Sequence, residues 1–349
     1  MTAIAEQAQA TRRPGVAASN ARRLAGLLIC LAVLVLAVLA SIAIGARDIA
    51  LPTVLDALFA YDDSNDHAIV QSLRVPRTVL GLLIGMALGM SGALIQALTR
   101  NPLADPGILG VNAGASFFVL IAVGYLGMTS LQSYIWFAFL GAIVTTVMVY
   151  VVGSSGRNGA TPVTLTLAGV AIGAILGGVS TALTLLNPTA FDRMRFWSAG
   201  ALSGGTYETV TTIAPFIVFG LVLAAIVARP LNAVALGDDL AKSLGANITR
   251  VRTIVVIAVT LLAGGATAAA GPIGFVGLMV PHVARWIVGP DQRWIMAYTL
   301  VLAPVLLLVS DIIGRIVMRP GEIQVAIVTA FLGAPVLILL ARRRKVSGL

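Results

Sequence analysis

The chain has 349 residues, of which 58% are hydrophobic and only 11% charged. A soluble globular domain carries roughly 25% charged residues, so this composition excludes a soluble enzyme, a disordered chain and a coiled coil, and leaves a polytopic membrane protein. The formal charge of +9 would suggest nucleic acid in a soluble chain, but here it fits the Lys and Arg that cytoplasmic loops of membrane proteins collect, and no nucleic-acid partner is expected.

Residues 1–23 are polar, small and basic (Arg12, Arg13, Arg22, Arg23) and read as a disordered cytoplasmic tail. Leu24 to Ala46 is the first apolar run. A signal peptide has a shorter apolar core, roughly 7–15 residues, so this run reads as an uncleaved first span. Cys30, the only cysteine, lies inside it. Alone it can build neither a disulfide nor a thiolate metal site, and it reads as a packing or lipid-facing residue. Nine further apolar segments follow at 78–98, 107–127, 132–153, 162–185, 207–228, 251–270, 274–289, 294–312 and 323–341. Gly271-Pro272-Ile273-Gly274 separates two of them, since Gly and Pro punctuate helices. At about 20 residues per span the chain is long enough for ten, in one domain from 24 to 342 with a short cytoplasmic tail at 343–349.

Ten spans put both termini on one side. With the termini cytoplasmic, 16 of the 23 Lys and Arg fall inside and 7 outside (Arg47, Arg74, Arg77, Arg193, Arg195, Arg315, Arg319). That bias agrees with the positive-inside rule and would collapse with one span miscounted.

Three connections are long enough to act. Residues 47–77 are external, acidic at Asp62, Asp63 and Asp66, and end in Arg74-Val75-Pro76-Arg77. His67 within them reads as solvated. Residues 186–206 are external and carry Asp192-Arg193-Met194-Arg195-Phe196-Trp197. Residues 229–250 are cytoplasmic and contain Leu236-Gly237-Asp238-Asp239-Leu240-Ala241-Lys242-Ser243-Leu244-Gly245. This stretch predicts a short helix over Asp238–Leu244 with Gly245 as its C′ cap, and a partner surface. Each half of the chain also has a Gly/Ala-rich span followed by a proline-broken segment: Gly85–Leu98 then Asn101-Pro102-Leu103-Ala104-Asp105-Pro106, and Leu262–Ala270 then Gly271-Pro272 and Pro281-His282. Five spans per half would insert in opposite senses, the inverted repeat of many transporters.

The polar inventory is too poor for an enzyme. His67 and His282 are the only histidines, and His282 reads as a structural hydrogen-bonder. No H-E-x-x-H or G-x-S-x-G occurs, and catalytic, metal and cofactor sites are all expected to be absent from the chain. Gly237 to Ser243 resembles a fragment of a phosphate loop, but the glycines that motif needs one and six residues before its Lys are replaced by Ala241 and Leu236. Any ATP and Mg must therefore be bound by separate ATPase subunits. An ion-coupled carrier would mark itself by a mid-membrane carboxylate; Asp311, Arg315 and Glu322 sit at span ends instead. The spacings Gly81, Gly85, Gly89, Gly92 and Gly169, Gly173, Gly177, Gly178 read first as close helix packing, and second as a smooth wall for a bulky substrate.

Several motifs in order resemble one family. They are Leu73-Arg74-Val75-Pro76-Arg77; Ser91-Gly92-Ala93-Leu94-Ile95-Gln96; Arg100-Asn101-Pro102-Leu103-Ala104-Asp105-Pro106-Gly107-Ile108-Leu109-Gly110; Gly271-Pro272-Ile273-Gly274-Phe275-Val276-Gly277-Leu278 with Pro281-His282; and Gly333-Ala334-Pro335. From about Leu24 to Arg342 the chain resembles the FecCD-type permeases of ABC importers, which carry iron–siderophore complexes, haem and cobalamin, with the cobalamin importer permease the best-known relative. The resemblance implies ten spans, a bacterial inner-membrane location with cytoplasmic termini, and a pathway shared with a second, identical or paralogous permease. It implies two ATPase subunits on one side and a substrate-binding protein on the other. It implies that Arg74, Arg77 and Arg315 dock the binding protein through charge pairs, that Asn101, Leu103, Thr161, Pro162 and Val163 gate the cytoplasmic end, and that Leu236–Gly245 couple to the ATPase, with Asp238, Asp239 and Lys242 as polar contacts beside Leu236, Gly237, Leu240, Ser243, Leu244 and Gly245. One departure stands out: the family's G-E-I-P-V-G reads Gly321-Glu322-Ile323-Gln324-Val325-Ala326, which puts the local geometry before the last span in question. The expected function is ATP-driven import of a ferric siderophore by alternating access, a choice of substrate that rests on family abundance and not on a residue. Cobalamin or haem is the alternative within the class. An ion-coupled secondary carrier and a membrane-embedded enzyme are the rivals outside it.

Overall fold

The computed structural model describes residues 19–102, 104–155 and 162–342. These residues form helices joined by short connections, with no strand among them. In chain order the helices are α1 (Asn20–Ala43), α2 (Leu51–Phe59), α3 (Asn65–Thr99), α4 (Val111–Tyr125), α5 (Leu131–Ser154), α6 (Pro162–Leu186), α7 (Pro188–Trp197), α8 (Tyr207–Val234), α9 (Asp238–Ser243), α10 (Ile248–Ala270), α11 (Val276–Val288), α12 (Gln292–Val317) and α13 (Val325–Arg342). Seven of them (α1, α3, α5, α6, α8, α10 and α12) are long and apolar enough to cross a membrane. The shorter apolar helices α4, α11 and α13 occupy the three remaining predicted segments.

Local chemistry sets the starts. Ser19, Asn187, Thr206, Asn247 and Asp291 each accept a backbone N–H of the first turn, from Arg22, Ala190, Thr209, Arg250 and Arg293. These are the residue types that satisfy the orphan donors of a helix N-terminus. Gly271 ends α10 at φ 71°, where a side chain would run into the Trp197 carbonyl. Only glycine takes that conformation without penalty, so the predicted break between α10 and α11 is fixed by one residue.

Residues 47–77 differ from the expected loop. They hold α2 and the first turns of α3, which passes through a π-turn at Val70–Arg74 without a break. The acidic cluster concealed an apolar face: Ile49, Val54, Ala57 and Val70 pack together. His67 is correspondingly buried, at 4% exposure, with Nδ1 2.7 Å from Asp62 Oδ1.

The core forms around α3 and α10. Their apolar windows are 78% and 67% buried, against 11% for α1 and 17% for α6, which places the last two at the edge. Glycines permit the close approach. Gly81, Gly85 and Gly89 of α3 face Leu308, Pro304 and Ala303 of α12, and Gly92 faces the Gly277 backbone of α11. Gly114 of α4 and Gly141 of α5 meet each other's carbonyls. Small residues at such crossings let helix backbones approach, so packing accounts for the first glycine series. The second behaves differently: Gly177 and Gly178 face open space. Gly92→Leu should therefore destabilise the purified protein by at least about 1–3 kcal/mol through overpacking, while Gly177→Ala leaves the thermal midpoint in detergent unchanged; equal midpoints for the two would contradict this packing.

Candidate functional site

The sequence-predicted residues fall at two opposite ends of the bundle, set by α3. Arg74 and Arg77 lie at and just after its π-turn and Arg100 caps its end, about 35 Å apart at 1.5 Å per residue from Arg77 to Arg100.

At the first end the three predicted docking arginines come together, but they turn inward. Arg74 is 4% exposed and donates to the carbonyls of Ile42 (3.1 Å), Ala43 (2.6 Å) and Arg47 (2.6 Å). Arg315 is 2% exposed and donates through Nη1 to Ser41 O and Ile44 O, both at 2.9 Å, and through Nη2 to Ser41 Oγ at 2.8 Å. Arg319 adds a bond to Gly45 O. Helix α1 has no basic residue in its own last turn, so cations from α3, α12 and the segment after α12 satisfy its terminal carbonyls and complement its dipole.

Asp311 of α12 holds this end together. It is 1% exposed and lies 2.8 Å from Arg315 Nη2. Arg77 binds it as a fork, Nε to Oδ2 at 3.0 Å and Nη2 to Oδ1 at 2.7 Å. The third nitrogen of Arg77 reaches Glu322 at 2.8 Å. The network therefore contains two guanidiniums and two carboxylates. The docking expectation needs exposed guanidiniums, whereas Arg74 and Arg315 are buried and Arg77 is 13% exposed, with most of their donors bonded inside the fold and Arg315 Nε buried without a partner among the described residues. Charge alone does not set their direction: Arg315 has its carboxylate one helical turn away at Asp311, a spacing readable in the sequence, whereas Arg77 reaches the same carboxylate across 234 residues and Arg74 turns to backbone carbonyls after α1 and within its last turn. The lost proline before the last span is compensated here too, because Ile323 N donates to Gly314 O, Ala326 N donates to Gly200 O and Glu322 is held by Arg77.

At the opposite end α9 is two-sided. Its inner face carries Ala241, fully buried, and Asp238, whose Oδ2 accepts from Arg252 Nη2 at 2.7 Å. Arg100 Nη2 lies 3.9 Å from Oδ1. Leu240 within α9, Leu236 just before it and Leu244 at its C-cap are exposed at 55%, 49% and 62%, with Asp239, Lys242, Ser243 and Gly245 also exposed. Gly245 has φ 82° and its N–H bonds Lys242 O, the predicted cap. Asp238 is thus an inward anchor, while three leucines in and on either side of α9 are exposed beside charged residues. The charge pattern alone does not point to Arg252 as Asp238's partner, fourteen residues away.

Of the predicted gate, Asn101 is half-buried in the turn after Arg100, with its N–H on Gln96 O and its carbonyl accepting from Ala104 N. Leu103 and Thr161 lie outside the described residues. Pro162 begins α6, and Val163 is 66% exposed on its bare face. Gln96, fully buried, donates to the carbonyls of Gly277 (3.2 Å) and Leu278 (3.0 Å), fixing the start of α11 beside the broken segment. His282 departs from its expected role: its Nδ1 has no hydrogen-bond partner among the described residues, and its ring packs edge-on to Trp286 at 4.8 Å.

Removing one partner of a buried ion pair strands the others. Asp311→Asn should cost about 3–5 kcal/mol of stability, whereas Glu322→Gln, on a carboxylate that is 30% exposed, should cost at most about 1 kcal/mol. Thermal unfolding of the two purified variants checks the ratio, and equal losses would count against Asp311 as the central anion.

Comparison with known proteins agrees along the whole bundle. The model of the FecCD transport family matches residues 33–343. The chain is 46% identical over 333 residues to the ferric enterobactin transport system permease protein FepD of Escherichia coli (strain K12), covering 95% of this chain and 98% of that one. It is 39% identical to the Fe(3+)-citrate import system permease protein YfmD of Bacillus subtilis (strain 168), covering 93% and 96%. A solved chain of a metal-chelate type ABC transporter in an inward-facing conformation has the same fold, with a TM-score of 0.80 at 24% identity, over 90% of this chain and 98% of that one. The chain belongs to the FecCD transport family and is a membrane permease of the ABC-importer kind.

Proposed function

We propose that this protein is the membrane-spanning subunit of an ATP-driven importer of ferric siderophores, crossing the bacterial inner membrane ten times with both termini cytoplasmic. Seven long and three shorter apolar helices, together with the bias of basic residues, support that topology, in which α9 is cytoplasmic and the arginine network is external. An inverted repeat of two five-span halves fits the same count. The pathway runs between this subunit and a second, identical or paralogous permease. The bare face of α6, with Val163, Leu167, Val170, Gly177 and Gly178, is the smooth surface available for it, and cycling between outward- and inward-open states moves the chelate.

The observation that carries the coupling role is the exposed leucine set in and beside α9. A charged cytoplasmic segment that pins its polar Asp238 inward and presents Leu236, Leu240 and Leu244 to water exposes apolar surface that a partner must cover. An ATPase subunit is that partner, and ATP and Mg are bound there. The contact is apolar at its centre, with Asp239 and Lys242 at its rim. A substrate-binding protein docks at the external end, where Arg47, Arg193, Arg195 and Arg319, not the buried trio, are exposed. The substrate reading rests on the names of the relatives, which transport ferric enterobactin and Fe(3+)-citrate.

Leu240→Glu should release the ATPase subunit on purification and abolish uptake; intact co-purification would remove α9 from the interface. In cells lacking their own iron-chelate permeases, the complete importer should take up radiolabelled ferric enterobactin or another ferric chelate and not cyanocobalamin; the reverse pattern would overturn the substrate class.

A further inference from the structure

We propose that Asp238 is a positioning residue that transmits movement of α9 to the end of α3, through an ion pair with Arg100 that is half-made in this structure. The proposal rests on the reading of α9 as the ATPase contact.

The two oxygens of Asp238 are in unequal situations. Oδ2 is bonded to Arg252 of α10 at 2.7 Å. Oδ1 is shielded from solvent and has no hydrogen bond, with Arg100 Nη2 3.9 Å away. A charge-assisted hydrogen bond needs roughly 2.7–2.9 Å, so a shift of about 1 Å would close the contact. The guanidinium is already turned toward α9, since the Cβ direction of Gly237 points to within 3.6 Å of Arg100 Nη1. A buried acceptor left open beside a cation is costly, and closing it offsets that cost. One carboxylate thus stands between the six-residue α9 and the ends of α3 and α10, the two most buried helices of the bundle.

Arg100 is a sensitive point on which to pull. It caps α3 in the left-handed region at φ 52°, a conformation that non-glycine residues rarely hold. Its neighbour Asn101 begins the tight turn that leads through Ala104 to Asp105, whose side chain caps the short helix Pro106–Leu109. A tug on the Arg100 side chain therefore acts on a strained backbone hinge, directly ahead of the connection to α4. In this arrangement Arg252 holds α9 to α10 throughout the cycle, and Arg100 is engaged when a partner presses α9 inward.

The test uses the complete importer, with its ATPase subunits and binding protein, in liposomes. Asp238→Asn and Arg100→Gln should each leave ATPase co-purification intact and lower the amount of ferric chelate moved per ATP hydrolysed by about five- to tenfold, and the double variant should be no worse than either single one, as expected for two residues acting through one contact. Additive losses, or an unchanged transport-to-ATP ratio in either single variant, would overturn the proposal. Leu240→Glu separates it from the reading beneath it. If that variant keeps its ATPase, the coupling role of α9 fails and the lever with it. If it loses the ATPase while Asp238→Asn and Arg100→Gln transport at the normal ratio, the lever alone fails.

Discussion

A single buried carboxylate, Asp311, decides how one end of this bundle is arranged. Arg77 and Arg315 both point at it, and neither guanidinium could sit within an apolar helix packing without an anion between them. Once Arg315 is fixed there, its other nitrogen faces the last carbonyls of α1. Once Arg77 is fixed, its free edge faces Glu322 and the approach to α13. The first helix, which buries only 11% of its apolar window, is tied to the core at both ends: its last carbonyls accept these donors, and near its start Tyr298 donates to Arg23 O at 2.6 Å while Leu27 and Cys30 pack against the cluster around Tyr298. For a helix so exposed along its length, terminal hydrogen bonds to charged donors, each worth about 1.5–3 kcal/mol, are a large share of what positions it. The same constraint bears on an ion-coupled mechanism. Asp311 is a buried carboxylate in a membrane helix, the usual mark of a relay, but two guanidiniums hold its oxygens and leave it no place in one.

How much of this was legible in the sequence follows from what periodicity and charge can encode. The ten apolar segments all proved helical, because a run of about 20 apolar residues bounded by Gly, Pro or capping residues has few other solutions in a membrane. The break at Gly271-Pro272 and the cap at Gly245 were equally readable, since each depends on one residue's backbone freedom. The helical content of residues 47–77 was hidden by Asp62, Asp63 and Asp66, whose polarity masks the spacing of Val54, Ala57 and Val70. The roles of Arg74, Arg77 and Arg315 were hidden for a different reason. Charge counting assigns a side of the membrane, but the choice between a surface arginine and a buried clamp depends on long-range partners, Asp311 for Arg77 and Ser41 for Arg315, and on backbone carbonyls for Arg74; the i, i+4 pairing of Asp311 with Arg315 was the one signal in the spacing.

The two ends treat charge in opposite ways. At the Asp311 end most guanidinium donors meet carboxylates and carbonyls, Arg315 Nε being the buried exception, and the side chains of Arg315 and Asp311 are 2% and 1% exposed. At the α9 end the side chains of Asp238, Arg100 and Arg252 are each about a third exposed, at 34%, 37% and 39%, and one oxygen stays unmatched. Closed, desolvated networks resist displacement because every partial opening strands a charge. Half-open ones can exchange partners at little cost, since water substitutes for what is lost.

Helix α3 joins the two regimes. It runs unbroken from Asn65 to Thr99, with glycines at 81, 85, 89 and 92 locked against α12 and α11, so it cannot bend where it is packed. Its only departures from regular helix are the π-turn at Val70–Arg74 and the left-handed cap at Arg100, one at each end. A rigid rod with deformable ends, fixed at one end by Asp311 and loosely engaged at the other by Asp238, can take up displacement at its loose end without disturbing the network at its fixed end. That asymmetry makes the end beside Arg100 and Asn101 the more easily displaced of the two, while the network around Asp311, with Arg315 and Asp311 at 2% and 1% exposure, is the more closed.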